Sequence, residues 1–293
     1  MSVSWAFSYP EVLRAHHARD AADQAGPLPG HVIEAILPEN GGFRGGLLLT
    51  PAHRSTDDIL VYFHGGGFVA GSPETHRSVT TWLAKLSGMR VLSARYRLAP
   101  EHPFPAQRED ARVACAAACF LGDGPAERAR MFLAGDSAGA CVALWGLHAL
   151  DPADRARVKG LVLLYGAYGL TTGDSISSCG TPENGLDSDT LAIMYRRLGG
   201  ANVTRPIDFA REITEPTYVL AAGLDALFDD SAMLFRSLES SNPANTFVVA
   251  DGQDHGFLKG TGHDPLALSA LEQAVRWVDR LNAAGNTGVG RRL

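Results

Sequence analysis

Short apolar runs recur along this chain, separated by longer stretches with helical periodicity. The runs are Ile59–Phe63, Arg90–Ala94, Met131–Ala134, Leu161–Tyr165, Thr217–Ala221 and Thr246–Val249. Between them, Thr75–Ser87, Ala106–Leu121, Ala138–Leu150 and Asp229–Ser240 predict helices. Apolar strands alternating with helices predict an α/β fold, a mostly parallel sheet flanked by helices on both faces. Ahead of this pattern, the first 25 residues predict a helix on the surface, ending at Gly26-Pro27. Two strands follow, His31–Leu37 and Phe43–Thr50, split by the turn signal Asn40-Gly41-Gly42. At the other end Asp264 caps and Pro265 opens a last helix, with Leu268, Leu271, Val275, Val278 and Leu281 along one stripe.

One region breaks the alternation. The stretch from Tyr165 to Thr217 is too long for a plain connection. It holds a Gly/Ser/Thr-rich loop, Gly169–Gly185, and a helix predicted over Asp187–Leu198. We expect a small helical cap here, joined by the N-terminal helix. The resulting division is an N-terminal segment at 1–30, the first part of the core at 31–168, a cap at 169–212, the second part of the core at 213–285 and a frayed tail at 286–293.

With 293 residues, 45% of them hydrophobic and 20% charged, the chain has ordinary globular composition. A net charge of −6 and the lack of a basic run give no footing for nucleic acid or an anionic membrane. No apolar stretch approaches the roughly 20 residues that span a bilayer, and the N-terminus lacks the charge-then-apolar order of a secretion signal, which points to the cytoplasm. Cys115, Cys119, Cys141 and Cys179 read as core thiols, without a disulfide framework or a metal cluster.

In an open α/β sheet the chemistry sits where strands end. Met131–Ala134 is followed by Gly135-Asp136-Ser137-Ala138-Gly139 and then a helix. This is the strand–turn–helix setting in which a G-x-S-x-G turn pushes one hydroxyl out over the sheet, with small neighbours to admit the crowded backbone. Ser137 is the candidate nucleophile, and it needs a base. His255 follows the strand Thr246–Val249, whereas His16, His17 and His53 fall in polar segments expected at the surface, and His263 lies beside the capping Asp264. Asp225 follows Thr217–Ala221 and is the candidate carboxylate to orient the base. The chain order Ser137, Asp225, His255 is that of an α/β-hydrolase.

The glycines after Ile59–Phe63, in His64-Gly65-Gly66-Gly67-Phe68, then gain a purpose. Attack on a carbonyl creates an oxyanion that needs N–H donors, and glycine backbone approaches without obstruction. Gly65 and Gly66 are expected to donate from one side and Ala138 from the other. Phe68, Tyr168, Met194 and Tyr195 are candidates for the substrate pocket.

The motifs His64-Gly65-Gly66-Gly67, Gly135-Asp136-Ser137-Ala138-Gly139, Asp225-Ala226-Leu227-Phe228-Asp229 and His255-Gly256-Phe257 together resemble the hormone-sensitive-lipase-like group of bacterial esterases. Tyr96-Arg97-Leu98-Ala99-Pro100-Glu101-His102-Pro103-Phe104-Pro105-Ala106 is similar to a segment of the same group, and the matches run from about residue 59 to 258. The resemblance implies an α/β-hydrolase that cleaves carboxylic esters of small molecules without cofactor or metal, beneath a cap. The chain departs from the group at Ala140, where a second glycine is usual, and at Gly166–Leu170, where a proline-tryptophan-x-aspartate segment is common. The same machinery also cleaves amides, formamides and carbamates, and a receptor on this fold is a further reading. A homodimer is the one assembly to expect, from the general tendency of soluble proteins toward two-fold association.

Overall fold

The computed structural model describes residues 8–121 and 129–286. The chain opens with α1 (Pro10–Gln24), β1 (Val32–Leu37), β2 (Gly46–Pro51) and β3 (Ile59–Phe63). Next come α2 (Arg77–Ser87), β4 (Arg90–Ala94), α3 (Ala106–Ala118), β5 (Met131–Asp136), α4 (Ala138–Ala149) and the single turn α5 (Pro152–Arg155). After β6 (Val158–Leu164) lie α6 (Asp174–Cys179), α7 (Ser188–Leu198) and α8 (Pro206–Phe209). The chain closes with β7 (Thr217–Ala222), α9 (Phe228–Leu238), β8 (Thr246–Ala250) and α10 (Pro265–Asn286).

The strands form one sheet in the order β1-β2-β4-β3-β5-β6-β7-β8. β1 pairs antiparallel with β2, and β2 with β4; every later pairing is parallel. The period of two along each strand sorts side chains onto two faces. Ile59, Val61 and Phe63 of β3 join Leu133 of β5 and Leu161 and Leu163 of β6 in a core with Cys115, Trp145, Leu234 and Leu238. Leu60 and Tyr62 join Phe132, Ala134, Val162 and Leu164 in a second core with Leu83, Leu271, Trp277 and Val278. So α3, α4 and α9 cover one face, and α2 and α10 cover the other.

The expected strands are all present, with ends shifted by up to three residues. β2 begins at Gly46 rather than Phe43, because Asn40 and Phe43 close a bridge across the turn instead. The glycine-rich loop expected after β6 contains a helix, α6, that its composition gave no reason to expect. α7 starts where the pattern predicts, with the Asp187 side chain accepting from the N–H groups of Asp189 and Thr190 at 3.1 Å each. Beyond Asn286, the tail expected to fray lies outside the described residues.

α1 has a polar sequence, and it is seated by specific bonds rather than by an apolar stripe. Arg14 donates to Val69 O at 2.9 Å and makes a two-pronged pair with Glu101 at 2.7 and 3.0 Å. Leu13, His17 and Ala21, one turn apart, form its buried edge. α1 and the segment carrying α6 and α7 reach the same cavity above the carboxyl ends of the parallel strands. Among the described residues, no helix is long and apolar enough to cross a membrane.

The fold leaves no room between α4 and β3. A methyl group on Gly139 would lie 2.0 Å from Phe63 O, a backbone atom that has no freedom to retreat. Gly139→Ala is therefore expected to destabilise the protein by about 3 kcal/mol or more in urea denaturation. Gly30→Ala, with nothing within 4 Å of the added methyl, is the control and leaves the midpoint unchanged.

Candidate active site

Ser137 sits between β5 and α4 at φ 52° and ψ −125°, a positive-φ conformation rarely adopted by residues other than glycine. The turn survives because its flanks are bare. A methyl on Gly135 would meet the Gly139 carbonyl carbon at 2.4 Å, and one on Gly139 would meet Phe63 O. Asp225 follows β7 and His255 follows β8, so these parallel strands deliver all three residues at their carboxyl ends.

His255 bridges the other two. Its Nδ1 is 2.8 Å from Asp225 Oδ2, and its Nε2 is 2.9 Å from Ser137 Oγ. An ionised carboxylate only accepts, so Nδ1 carries the proton and Nε2 is left to accept from the hydroxyl. Asp225 is buried, and Leu227 N–H donates to its second oxygen at 2.8 Å. The Tyr165 ring meets the imidazole edge-on, with centroids 5.2 Å apart. His263 is not part of this contact.

The glycine loop departs from the expectation at one residue. Gly65 N–H donates to Asp136 Oδ1 at 3.0 Å, so it is not free to meet an oxyanion. Gly66, Gly67 and Ala138 line the cavity beside Ser137, and among the described residues nothing accepts from their N–H groups. The N–H groups left open beside Ser137 are therefore those of Gly66, Gly67 and Ala138, whereas the expectation was Gly65, Gly66 and Ala138. The reason is the side chain next to the nucleophile. Asp136 accepts from Tyr62 OH at 2.7 Å as well, and lies 3.3 Å from His76 Nε2. Burial works against its charge, but His76 and the hydrogen bonds from His76 and Tyr62 outweigh it and hold the carboxyl well below the usual range.

Three imidazoles surround that carboxylate. His64 and His17 each lie against His76, with ring centroids 5.7 and 5.8 Å apart. Burial, helped by His76, lowers His64 to about 3. Burial, then Lys259 and His76, lowers His17 to about 2. His17 thus contradicts the expectation of a surface residue: it is 5% exposed and lines the cavity. Polar composition hid this, because its partner is another ring and not an apolar stripe.

The cavity holds 300 Å³. Phe68, Met194 and Tyr195 line it as expected, and the Phe68 ring leans on Trp145 at 5.4 Å. Tyr168 does not. It is fully buried, folded back over Gly166, where an added methyl would touch its hydroxyl at 2.2 Å. Among the described residues, no three His, Cys, Asp or Glu side chains group as metal ligands do.

A family model described as alpha/beta hydrolase fold matches residues 60–259, more than half of the chain. The chain belongs to the alpha/beta hydrolase family. As a whole, this hydrolase is similar to a hyperthermophilic esterase from the archaeon Pyrobaculum calidifontis, with 27% identity and a TM-score of 0.81 over 94% of this chain and 92% of that one. An esterase from the bacterial hormone-sensitive lipase family is similar at 25% identity and TM-score 0.80, over 94% of this chain and 92% of that chain. A thermostable carboxylesterase cloned from a metagenomic library is similar at 25% identity and TM-score 0.76, over 94% and 98%.

Residues beyond the expected set tie this hydrolase's cover to its core. Asp229 accepts from Ser175 N–H at 2.9 Å, and Asp230 from the N–H groups of Tyr168 and Leu170 at 2.7 and 3.2 Å. Both stand in the first turn of α9. Burial, with Asp225 adding to it, raises Asp230 to about 7 against the pull of those N–H groups. A raised carboxyl contributes stability that is complete below its ordinary value and is lost as pH rises through about 7. The urea midpoint is therefore expected to fall between about pH 4 and 7 and to level off above that. Asp230→Asn, which keeps an acceptor for both N–H groups, flattens that fall; an unchanged slope would assign it to another group.

Proposed function

We propose that the chain is a serine hydrolase of small carboxylic esters, working through an acyl-enzyme. The observation that carries this is His255, within hydrogen-bond reach of Ser137 on one side and Asp225 on the other. His255 takes the Ser137 proton as the hydroxyl attacks the ester carbonyl. Negative charge gathers on the carbonyl oxygen, and the N–H groups of Gly66, Gly67 and Ala138 receive it. Each such donor is worth about 3 kcal/mol of barrier. His255 then protonates the departing alcohol and, in the second half, activates water to release the acid. Asp225 keeps the imidazole in the needed tautomer and balances its transient charge.

Similarity to several esterases supports the ester bond as the target. The size of the cavity supports short acyl groups, since 300 Å³ is at the small end for ligand sites. Hydrolysis of p-nitrophenyl acetate, butyrate, octanoate and palmitate tests both parts. Rates are expected to fall beyond butyrate. Ser137→Ala is expected to lose roughly 10⁴-fold or more, and Asp225→Asn roughly 10⁴-fold. A native protein that turns over none of the four and resists a serine-reactive phosphonate would end the proposal.

A further inference from the structure

The cavity has two unlike walls. Leu186, Leu191 and Met194 belong to one apolar cluster between the cover and the core. Opposite in character is a polar wall built around Lys259, which stands four residues after the base. A methyl on Gly256 would lie 3.9 Å from Lys259 Nζ, so the ammonium is next to the His255 loop. Its side chain is 17% exposed. The nearest carboxylate oxygen, Asp20 Oδ2 on α1, is 3.7 Å away, beyond hydrogen-bond length. The other Asp20 oxygen accepts from Gln24 Nε2 at 3.0 Å. Lys259, Asp20 and Gln24 all line the cavity with Ser137.

Which half of an ester meets this wall follows from the chemistry. The leaving oxygen must come within reach of His255 Nε2 to be protonated. The alcohol half therefore lies along the His255–Gly256 side, where Lys259 is, and the acyl half lies on the apolar side. Charge then selects the class of alcohol. An anionic group drawn to Lys259 meets Asp20 and Glu183, which share the cavity. A cationic group meets Lys259. A neutral hydroxyl satisfies both, because it donates to Asp20 and accepts from Lys259 and Gln24.

Resting on the esterase reading, we propose that the enzyme selects short-chain esters of small polyhydroxylated alcohols, glycerol-like or sugar-like, and that Lys259, Asp20 and Gln24 determine this specificity. The test compares 1-butyrylglycerol with pentyl butyrate, which share an acyl group and match in size. The expected kcat/KM ratio favours the glycerol ester by about tenfold or more, the gain of two or more hydrogen bonds over alkyl contact. In Lys259→Met the ratio drops toward one, mainly through KM. Because Lys259 also neighbours α1, Gln24→Ala, at an exposed position, provides a second variant and lowers the ratio by a smaller factor. A ratio at or below one in the native protein, or one unmoved in both variants, overturns the substrate class. Phosphonate labelling of Ser137 distinguishes the two failures. Labelled protein without the preference sinks only this proposal, and protein that neither labels nor turns over either ester sinks the esterase reading with it.

Discussion

Three backbone segments crowd together around Ser137. β5 turns into α4 within one residue, α4 presses on the end of β3, and the glycine loop after β3 lies against the turn. A serine at φ 52° carries a strain of about 1–3 kcal/mol, and such strain persists only where the surroundings leave no alternative. Here the surroundings are Gly139 against Phe63 O and Gly135 against Gly139. The same contact that lifts the hydroxyl out of the sheet also sets where the N–H groups of Gly66, Gly67 and Ala138 stand. The Ser137 hydroxyl and these N–H groups are thus placed by one packing event and not by two.

Asp136 gives that packing its polarity. A fully buried carboxylate is costly unless its oxygens are satisfied. Tyr62 and Gly65 donate to one oxygen, and His76 stands by the other. These groups come from β3, the glycine loop and the start of α2, so the cost of burying one charge is offset only when all are in place. Surface pairs such as Arg205 with Asp208 have no comparable reach, since exposed pairs contribute about 0–1 kcal/mol.

Much of this was legible from the order of residues. Ser137, Asp225 and His255 each follow an apolar run, and parallel topology sends those run ends to one side. What the order cannot convey is direction at close range. Gly65 and Gly66 are equivalent as text; they differ because Asp136, 71 residues away, reaches one N–H and not the other. Tyr168 follows a strand as a pocket residue should, yet the missing side chain at Gly166 lets its ring turn inward. His17 sits in a helix without an apolar face, and its burial is set by His76. Asp230 has the sequence of a helix start, and its bonds to the chain leaving β6 appear only in three dimensions.

Ser137, Asp225 and His255 are far apart along the chain but follow β5, β7 and β8, parallel strands of one sheet. His255 is 118 residues from Ser137 and 30 from Asp225. The last of them is also followed by α10, whose Leu271, Trp277 and Val278 complete one face of the core. During synthesis, the turn bearing Ser137 emerges 118 residues before His255. β8 must dock at the sheet's edge before His255 can meet Ser137, so this contact waits on the last strand of the sheet to be placed.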